Sequence, residues 1–204
     1  MLATCSVSLN QASFDMKVSK AQSQANRAHI VETASEVFRE RGFDGVGLAD
    51  LMGAAGFTHG GFYKHFGSKA DLMAEAAECS LSEMADKVVG VDPASFINEY
   101  LSREHRDNPA AGCTMAALCT DASRQHEEVK QVFADGIERL LETLTNNGVE
   151  RDAAAQRVAR AGRIDAIAHL VGAIILSRAC PDDSPLSDEI LDVCRASALA
   201  RLGV

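Results

Sequence analysis

The sequence predicts an all-α protein in which a three-helix head carrying a helix-turn-helix joins a larger helical body, and three observations carry that reading. Apolar residues recur at helical spacing in one segment after another, most regularly at Val129, Val132, Phe133, Ile137, Leu140, Leu141 and Leu144. Alanine and leucine, both good helix formers, dominate the apolar stretches, while aromatics are only 5% and tryptophan is absent. Within Leu48–Phe66, LADLMGAAGFTHGGFYKHF, two short helical patterns flank Gly56, which permits a tight turn.

Taken in order, residues 1–26 form an expected flexible extension and basic arm. Met1–Asp15 lacks a sustained period, Met16-Lys17 offers an alternative start, and Lys17, Lys20 and Arg27 supply the basic groups. The head, 27–67, opens with a helix over Arg27–Arg41 that puts Ile30, Ala34, Val37 and Phe38 on one face and is stopped by Gly42. A second helix runs over Leu48–Ala55. Thr58 is placed to cap a third, His59–Phe66, whose Phe62 and Phe66 point inward while His59, Gly60, Tyr63, Lys64 and His65 occupy other faces. Gly60 and Gly61 each cost a helix about 1 kcal/mol relative to alanine, so they make sense where a backbone must approach another surface.

The remainder, 68–204, is expected to be a helical regulatory and dimerisation domain. Ser68 and Asp71 mark the start of a helix over Lys69–Lys87, a lever leaving the head, and Lys69 with its first-turn amides can grip a phosphate. Pro93 opens a helix through Arg106, Asn108–Gly112 breaks it, and further helices follow over Cys113–Ser123 and Glu128–Thr145. Asn147-Gly148 ends the latter; Arg151–Arg178 and Leu186–Leu202 complete the chain, separated by the Pro181–Pro185 loop. Small residues at Ala166, Gly172, Ala173, Ala196 and Ala198 suit close packing against a second copy.

Composition narrows the function classes. No run reaches the roughly 18 apolar residues of a membrane helix and no apolar signal segment opens the chain, which reads as cytoplasmic with no membrane partner. The net charge of −9 argues against a protein that coats nucleic acid uniformly. Charge is uneven, however: seven Lys or Arg against six acids leave residues 17–72 at +1 and the rest at −10. An acidic body favours docking on phosphate through the near-neutral head alone. The six cysteines show neither paired zinc spacing nor a secreted disulfide framework, and read mostly as small buried hydrophobes; no metal or cofactor is expected.

With these residues in view, the head resembles the TetR/AcrR family of transcriptional regulators. The resemblance rests on Ile30, Ala34, Phe38, Gly42-Phe43, Ala49-Asp50-Leu51, Ala54-Ala55-Gly56, Gly60-Gly61-Phe62-Tyr63, His65-Phe66, Ser68-Lys69 and Asp71-Leu72. It implies a homodimeric, usually repressing protein that binds a palindromic double-stranded operator and holds an effector in its larger domain. It assigns DNA contacts to Tyr63, Lys64, His65 and Lys69, with Thr58 and His59 opening the reading helix. Where many members carry hydroxyl residues before the second helix, this chain has Val46-Gly47, which removes a phosphate contact or cap there.

Within that frame, Arg27, Thr58, His59, Gly60, Gly61, Tyr63, Lys64, His65 and Lys69 form the expected DNA-binding set, Lys64 and Lys69 attracting phosphate and His59, Tyr63 and His65 fixing the fit to the groove. Phe96, Tyr100, Met115, Leu118, Phe133, Ile137, Ile167 and Val171 can line a cavity for a small apolar or electrophilic effector, or fill a dry core. Cys113, at a helix start, is a candidate thiol sensor. The alternative from another class is a helical enzyme acting on a small apolar molecule through His105, His126 or His169, but none of these sits in a specific catalytic spacing.

Overall fold

The computed structural model describes residues 19–145 and 152–202, and among these the regular structure is helical throughout. Helix α1 spans Lys20–Arg41, beginning about two turns before the expected start because the Ser19 hydroxyl accepts the Gln22 N–H at 3.1 Å. Lys20 and Arg27 are therefore helical rather than parts of a loose arm, and Lys17 lies outside the described residues. Gly42 ends α1 at φ 75°, its N–H donating to the Phe38 carbonyl at 2.8 Å, a geometry open to glycine and strained for other residues.

Helix α2, Leu48–Ala54, buries Leu51 and Met52, and Gly56 turns the chain at φ 79°. The reading segment is shorter and tighter than the expected His59–Phe66 helix. It is a 3₁₀ helix over His59–Lys64, with Gly61 and His65 donating to the carbonyls of Thr58 and Phe62, each at 2.9 Å. Two adjacent glycines weaken the case for an α-helix, and the segment is instead pinned by Phe62 and Phe66, which stack at 5.4 Å in the core. Thr58 occupies the N-cap position, but its hydroxyl makes no capping bond.

Helix α3, Lys69–Lys87, begins with the expected Ser68–Asp71 pair in reciprocal hydrogen bonds of 3.1 and 3.0 Å. It buries Leu72, Met73, Ala76, Ala77 and Leu81 against α1 on one side and α7, Glu127–Thr143, on the other. At the α3–α7 crossing Gly136 brings the helices so close that an added Cβ would stand 2.7 Å from Leu81 Cδ1.

The single helix expected over Pro93–Arg106 is two. Helix α4, Pro93–Tyr100, ends where Leu101 turns fully inward, and α5, Arg103–Asp107, is restarted by the Ser102 hydroxyl, which accepts the His105 N–H at 3.1 Å. Helix α6, Thr114–Ala122, follows with Cys113 at its N-cap; α8, Ala153–Arg178, and α9, Pro185–Leu202, complete the body. Asn147-Gly148 lies outside the described residues.

One core runs without interruption from the head, through α3, to α6 and α7; a second, of Ile97, Leu101, Ala173, Ile174, Leu191 and Ala198, joins α4 to α8 and α9. Ala173 and Ala198 are thus consumed within the chain, whereas Ala166 and Ala196 remain exposed and a Cβ added at Gly172 would meet nothing. The charged Arg106 is buried beside α8, its guanidinium donating to the carbonyls of Ser177 (3.0 Å) and Cys180 (3.1 Å) and to the Asp182 carboxylate (2.8 Å). No helix of the described residues is long and apolar enough to cross a membrane.

Candidate nucleic-acid interface and effector cavity

The head presents one continuous exposed set. His59, Gly60, Tyr63 and Lys64 face solvent, with Tyr63 67% exposed, because Phe62 and Phe66 take the two inward positions. Gly61 is half-buried, and a Cβ there would make ordinary contacts with Met52 and Thr58. The glycine pair therefore lowers the profile of this face rather than relieving crowding inside the head. His65 is half-buried, its ring 6.4 Å from that of Phe57 and 6.3 Å from that of Phe66.

Two expected phosphate contacts are occupied inside the protein. Arg27 is a brace: its guanidinium makes a two-pronged pair with Glu75 of α3, its Nε donates to the His65 carbonyl at 3.2 Å, and its plane covers the Phe66 ring at 4.7 Å. It ties α1, the end of the reading segment and the lever helix together, which corrects its assignment to a groove-entering arm. Lys69 likewise turns inward, its ammonium donating to the carbonyls of Phe43 at 2.6 Å and Val46 at 2.8 Å. Two of its three protons hold the loop before α2. Gly47, the N-cap of α2, has no side chain to bond there, as the Val46-Gly47 departure implied.

Head and body are clasped by polar groups that sequence reasoning missed. Asp121 on α6 accepts the Phe43 N–H at 2.9 Å, beside Gly42, where a Cβ would stand 2.5 Å from the carboxylate. Arg39 of α1 donates to the Ala110 carbonyl at 2.6 Å.

The body holds a cavity of about 430 Å³, open to solvent on one side and within the roughly 300–1,000 Å³ of small-molecule sites. Phe96, Tyr100, Met115, Ile167 and Val171 line it as expected. Leu118 and Phe133 do not; both are buried in the main core, against which Ile137 packs, and these three are corrected to core residues. The remaining wall comes from Met84 and Val88 at the end of α3, Val91, Pro93 and Ile97, Leu140 and Leu144, Arg163, Ala166 and Leu170, and Leu202. Met84 and Val88 continue the apolar stripe of Leu81, a signal readable from helical spacing. Arg163 interrupts an apolar stripe and carried no such signal.

A smaller, more polar recess of about 210 Å³ adjoins this cavity, sharing Met84, Val88, Val91, Phe96, Tyr100 and Cys113 and adding Arg39, Glu83, Lys87, Glu99 and His105. His105 organises its floor. The ring Nε2 accepts the Cys113 N–H at 3.1 Å, so Nδ1 carries the proton and donates to the Tyr100 carbonyl at 2.6 Å. Burial holds the His105 pKa below its ordinary value, in keeping with this neutral role, and burial pushes the Tyr100 phenol well up. The Cys113 thiol points to the Met84 thioether at 3.6 Å. Burial raises Cys79 and pushes Cys119 up to about 11. Among the described cysteines Cys113 is buried and Cys79, Cys119, Cys180 and Cys194 are partly exposed, so the description as buried hydrophobes fits Cys113 alone.

The histidines considered for catalysis are dispersed. His105 is committed as above, His169 Nε2 lies 3.1 Å from the Cys194 carbonyl, and His126 is exposed at the N-cap of α7. Among the described residues no cluster of His, Cys, Asp and Glu has metal-binding form.

Residues 30–76 match the family described as bacterial regulatory proteins, tetR family. The transcriptional regulator AcrR of Shigella flexneri is 35% identical over 89 residues, 40% of this chain and 41% of that protein; TtgR of Pseudomonas putida is 41% identical over 89 residues, 40% of this chain and 42% of that protein. The chain thus matches about two fifths of the length of these relatives. The fold likeness extends into the body. The reduced form of NemR from E. coli superposes with a TM-score of 0.62 at 18% identity, covering 85% of this chain and 95% of that one. A TetR-family regulator from Cytophaga hutchinsonii gives 0.63 at 20% identity, covering 90% and 97%. The tetR-family match thus lies in the head and the start of the lever helix, and the chain as a whole shares its fold with these regulators.

Proposed function

We propose that the protein is a transcriptional repressor that binds a palindromic DNA operator as a homodimer and releases it when a small molecule occupies the body cavity. The observation that carries this reading is the row of His59, Gly60, Tyr63 and Lys64, exposed on a segment whose Phe62 and Phe66 are locked in the core. Lys64 supplies phosphate attraction, and His59 and Tyr63 reach the groove past a glycine face that lets the backbone come close. A segment this short covers few base pairs, so two copies reading half-sites are needed for selectivity.

The surface of α8 and α9 supports the second copy. Leu176 of α8 and Leu186 and Val193 of α9 are 59%, 52% and 61% exposed, and a Cβ added at Gly172 of α8 would meet nothing, which leaves apolar groups and close-approach room for a second copy. An occupant that prefers one arrangement of α3 changes the spacing of the two heads and lowers operator affinity by the same factor that operator lowers its own.

Selection of bound sequences from a random DNA pool, followed by sedimentation of the complex, tests this directly. A dimer bound to a two-fold-related site is expected; a protein that selects no sequence overturns the reading, and catalytic turnover of a small molecule without DNA would favour the enzyme alternative. A second trigger is favoured by the place of Cys113, a residue that lines both cavities. An electrophile that enters them would release operator from the native protein and not from Cys113→Ser; an unchanged response in that variant removes Cys113 as the trigger.

A further inference from the structure

The buried polar side-chain atoms without a hydrogen-bond partner, among the described residues, are the Tyr100 hydroxyl, Arg163 Nε and Arg178 Nη1. All three carry donor hydrogens. Tyr100 and Arg163 line the same cavity, and Arg163 is the only charged residue among the described residues of that lining. Arg163 is partly buried, its Nε shielded from solvent, and it makes no ion pair with another described residue.

The two donors stand apart. Tyr100 packs its ring on His105 at 4.5 Å, and the His105 carbonyl receives Arg178 Nη2 at 2.9 Å, which places Tyr100 toward the C-terminal end of α8. The part of α8 that lines the cavity runs from Arg163 to Val171, about 12 Å of helix at 1.5 Å per residue, close to the length of an extended ten-carbon chain. Between them the wall is Ile167, Leu170 and Val171 from α8, faced by Phe96, Met115 and Leu140.

We infer that the cavity takes an elongated apolar carboxylic acid, its carboxylate on Arg163, its hydrocarbon along the α8 wall and a neutral hydrogen-bond acceptor at its far end for Tyr100. The inference rests on the reading of this cavity as the effector site and supplies the ligand's chemical class. A partly buried guanidinium on an apolar wall discriminates by charge: it gains a two-pronged hydrogen-bonded pair from a carboxylate, little from an alcohol, and repels an ammonium. The raised phenol of Tyr100 remains a neutral donor across the physiological range, complementary to a hydroxyl or carbonyl rather than a second anion.

Calorimetric titration of the full chain, without DNA, with decanoate, 1-decanol and decylammonium tests the head group. Decanoate is expected to bind about ten- to a hundredfold more tightly than decanol, and decylammonium more weakly than either. Arg163→Met should abolish the preference while keeping decanol affinity, and Arg163→Lys should restore part of it; the retained decanol binding shows that the variant cavity is intact. Adding 10-hydroxydecanoate tests the far end, where its advantage over decanoate should vanish in Tyr100→Phe. Equal affinities for the three head groups, a preference for the cation, no binding of any, or a carboxylate preference that survives Arg163→Met would each overturn the inference. A hydroxyl that adds nothing overturns the role of Tyr100. Carboxylate binding by a protein that selects no DNA would sink the repressor reading alone, and sequence-selective DNA binding by a protein indifferent to head-group charge would sink this inference alone.

Discussion

Leu118 and Ile167 were equivalent candidates for a cavity wall from sequence, and the structure separates them in a measurable way. Leu118 is 2% exposed and packed in the core on all sides, whereas Ile167 is half-buried with the cavity on one side. Replacing Leu118 with alanine removes three carbons, about 2.4 kcal/mol of transfer free energy at about 0.8 per carbon. The unfilled space adds to this, so the total cost is about 3–4 kcal/mol. In a chain of this size each kcal/mol lowers the melting temperature by about 2–4 °C, so a fall of about 6–16 °C is expected. Ile167→Ala forfeits contacts on one side only and costs about 1–2 kcal/mol, or about 2–8 °C. Thermal unfolding followed by circular dichroism reads the first quantity, and titration with decanoate reads the second: Ile167→Ala should weaken binding and Leu118→Ala should leave it nearly unchanged below the transition. Equal losses of stability, or a binding defect confined to Leu118→Ala, would refute the division into core and wall.

Other outcomes follow from the head, the recess and the helix crossing. Lys64→Ala should reduce the slope of log affinity against log salt by about 0.9, one phosphate's worth, while Glu75→Gln should weaken operator binding through loss of the Arg27 brace with the slope unchanged; gel-shift titrations across salt concentrations separate the two, and a slope change in Glu75→Gln would return Arg27 to the phosphate-binding set. Because the folded pKa of His105 lies below the ordinary 6.5, the unfolded chain takes up the proton first as acid is added. Stability attributable to His105 is therefore level above about pH 6.5 and declines below it, and His105→Gln should flatten that decline in urea unfolding at a series of pH values; an identical pH profile would refute the neutral clasp. Gly136→Ala should destabilise, since overpacking of about 1–3 kcal/mol against Leu81 exceeds a helix-propensity gain of about 1 kcal/mol, and pairing it with Leu81→Ala should recover part of the loss; a rise in melting temperature for Gly136→Ala alone would show that the crossing has room.

What was legible in the chain was whatever local chemistry decides. The Ser68–Asp71 capping box, the helix stop at Gly42, Pro93 in the first turn of α4 and the long apolar repeat of α7 all fold as their spacing predicts. The inward Phe62 and Phe66 and outward Tyr63 and Lys64 followed from the same geometry. Long-range partners were not legible. Arg27 and Lys69 read as free cations because Glu75 and the carbonyls of Phe43 and Val46 approach them only through tertiary folding. The break between α4 and α5 was hidden since Leu101 fits a helical apolar stripe as well as it fits a buried corner. Spacing also could not tell Leu118 from Met115, because both face inward from α6 and only the surrounding helices determine which meets empty space.

Helix α6 is a short rod with different fittings at its two ends. Cys113 and Met115 stand on the chamber at one, and Asp121 holds the Phe43 amide at the other. On the proposed effector reading, a ligand that displaces the start of α6 loads the Asp121–Phe43 hydrogen bond at its other end, between α1 and α2. On that reading α6 is a second route from cavity to head beside α3, and it acts on the tilt of the reading segment as well as on the spacing of two heads.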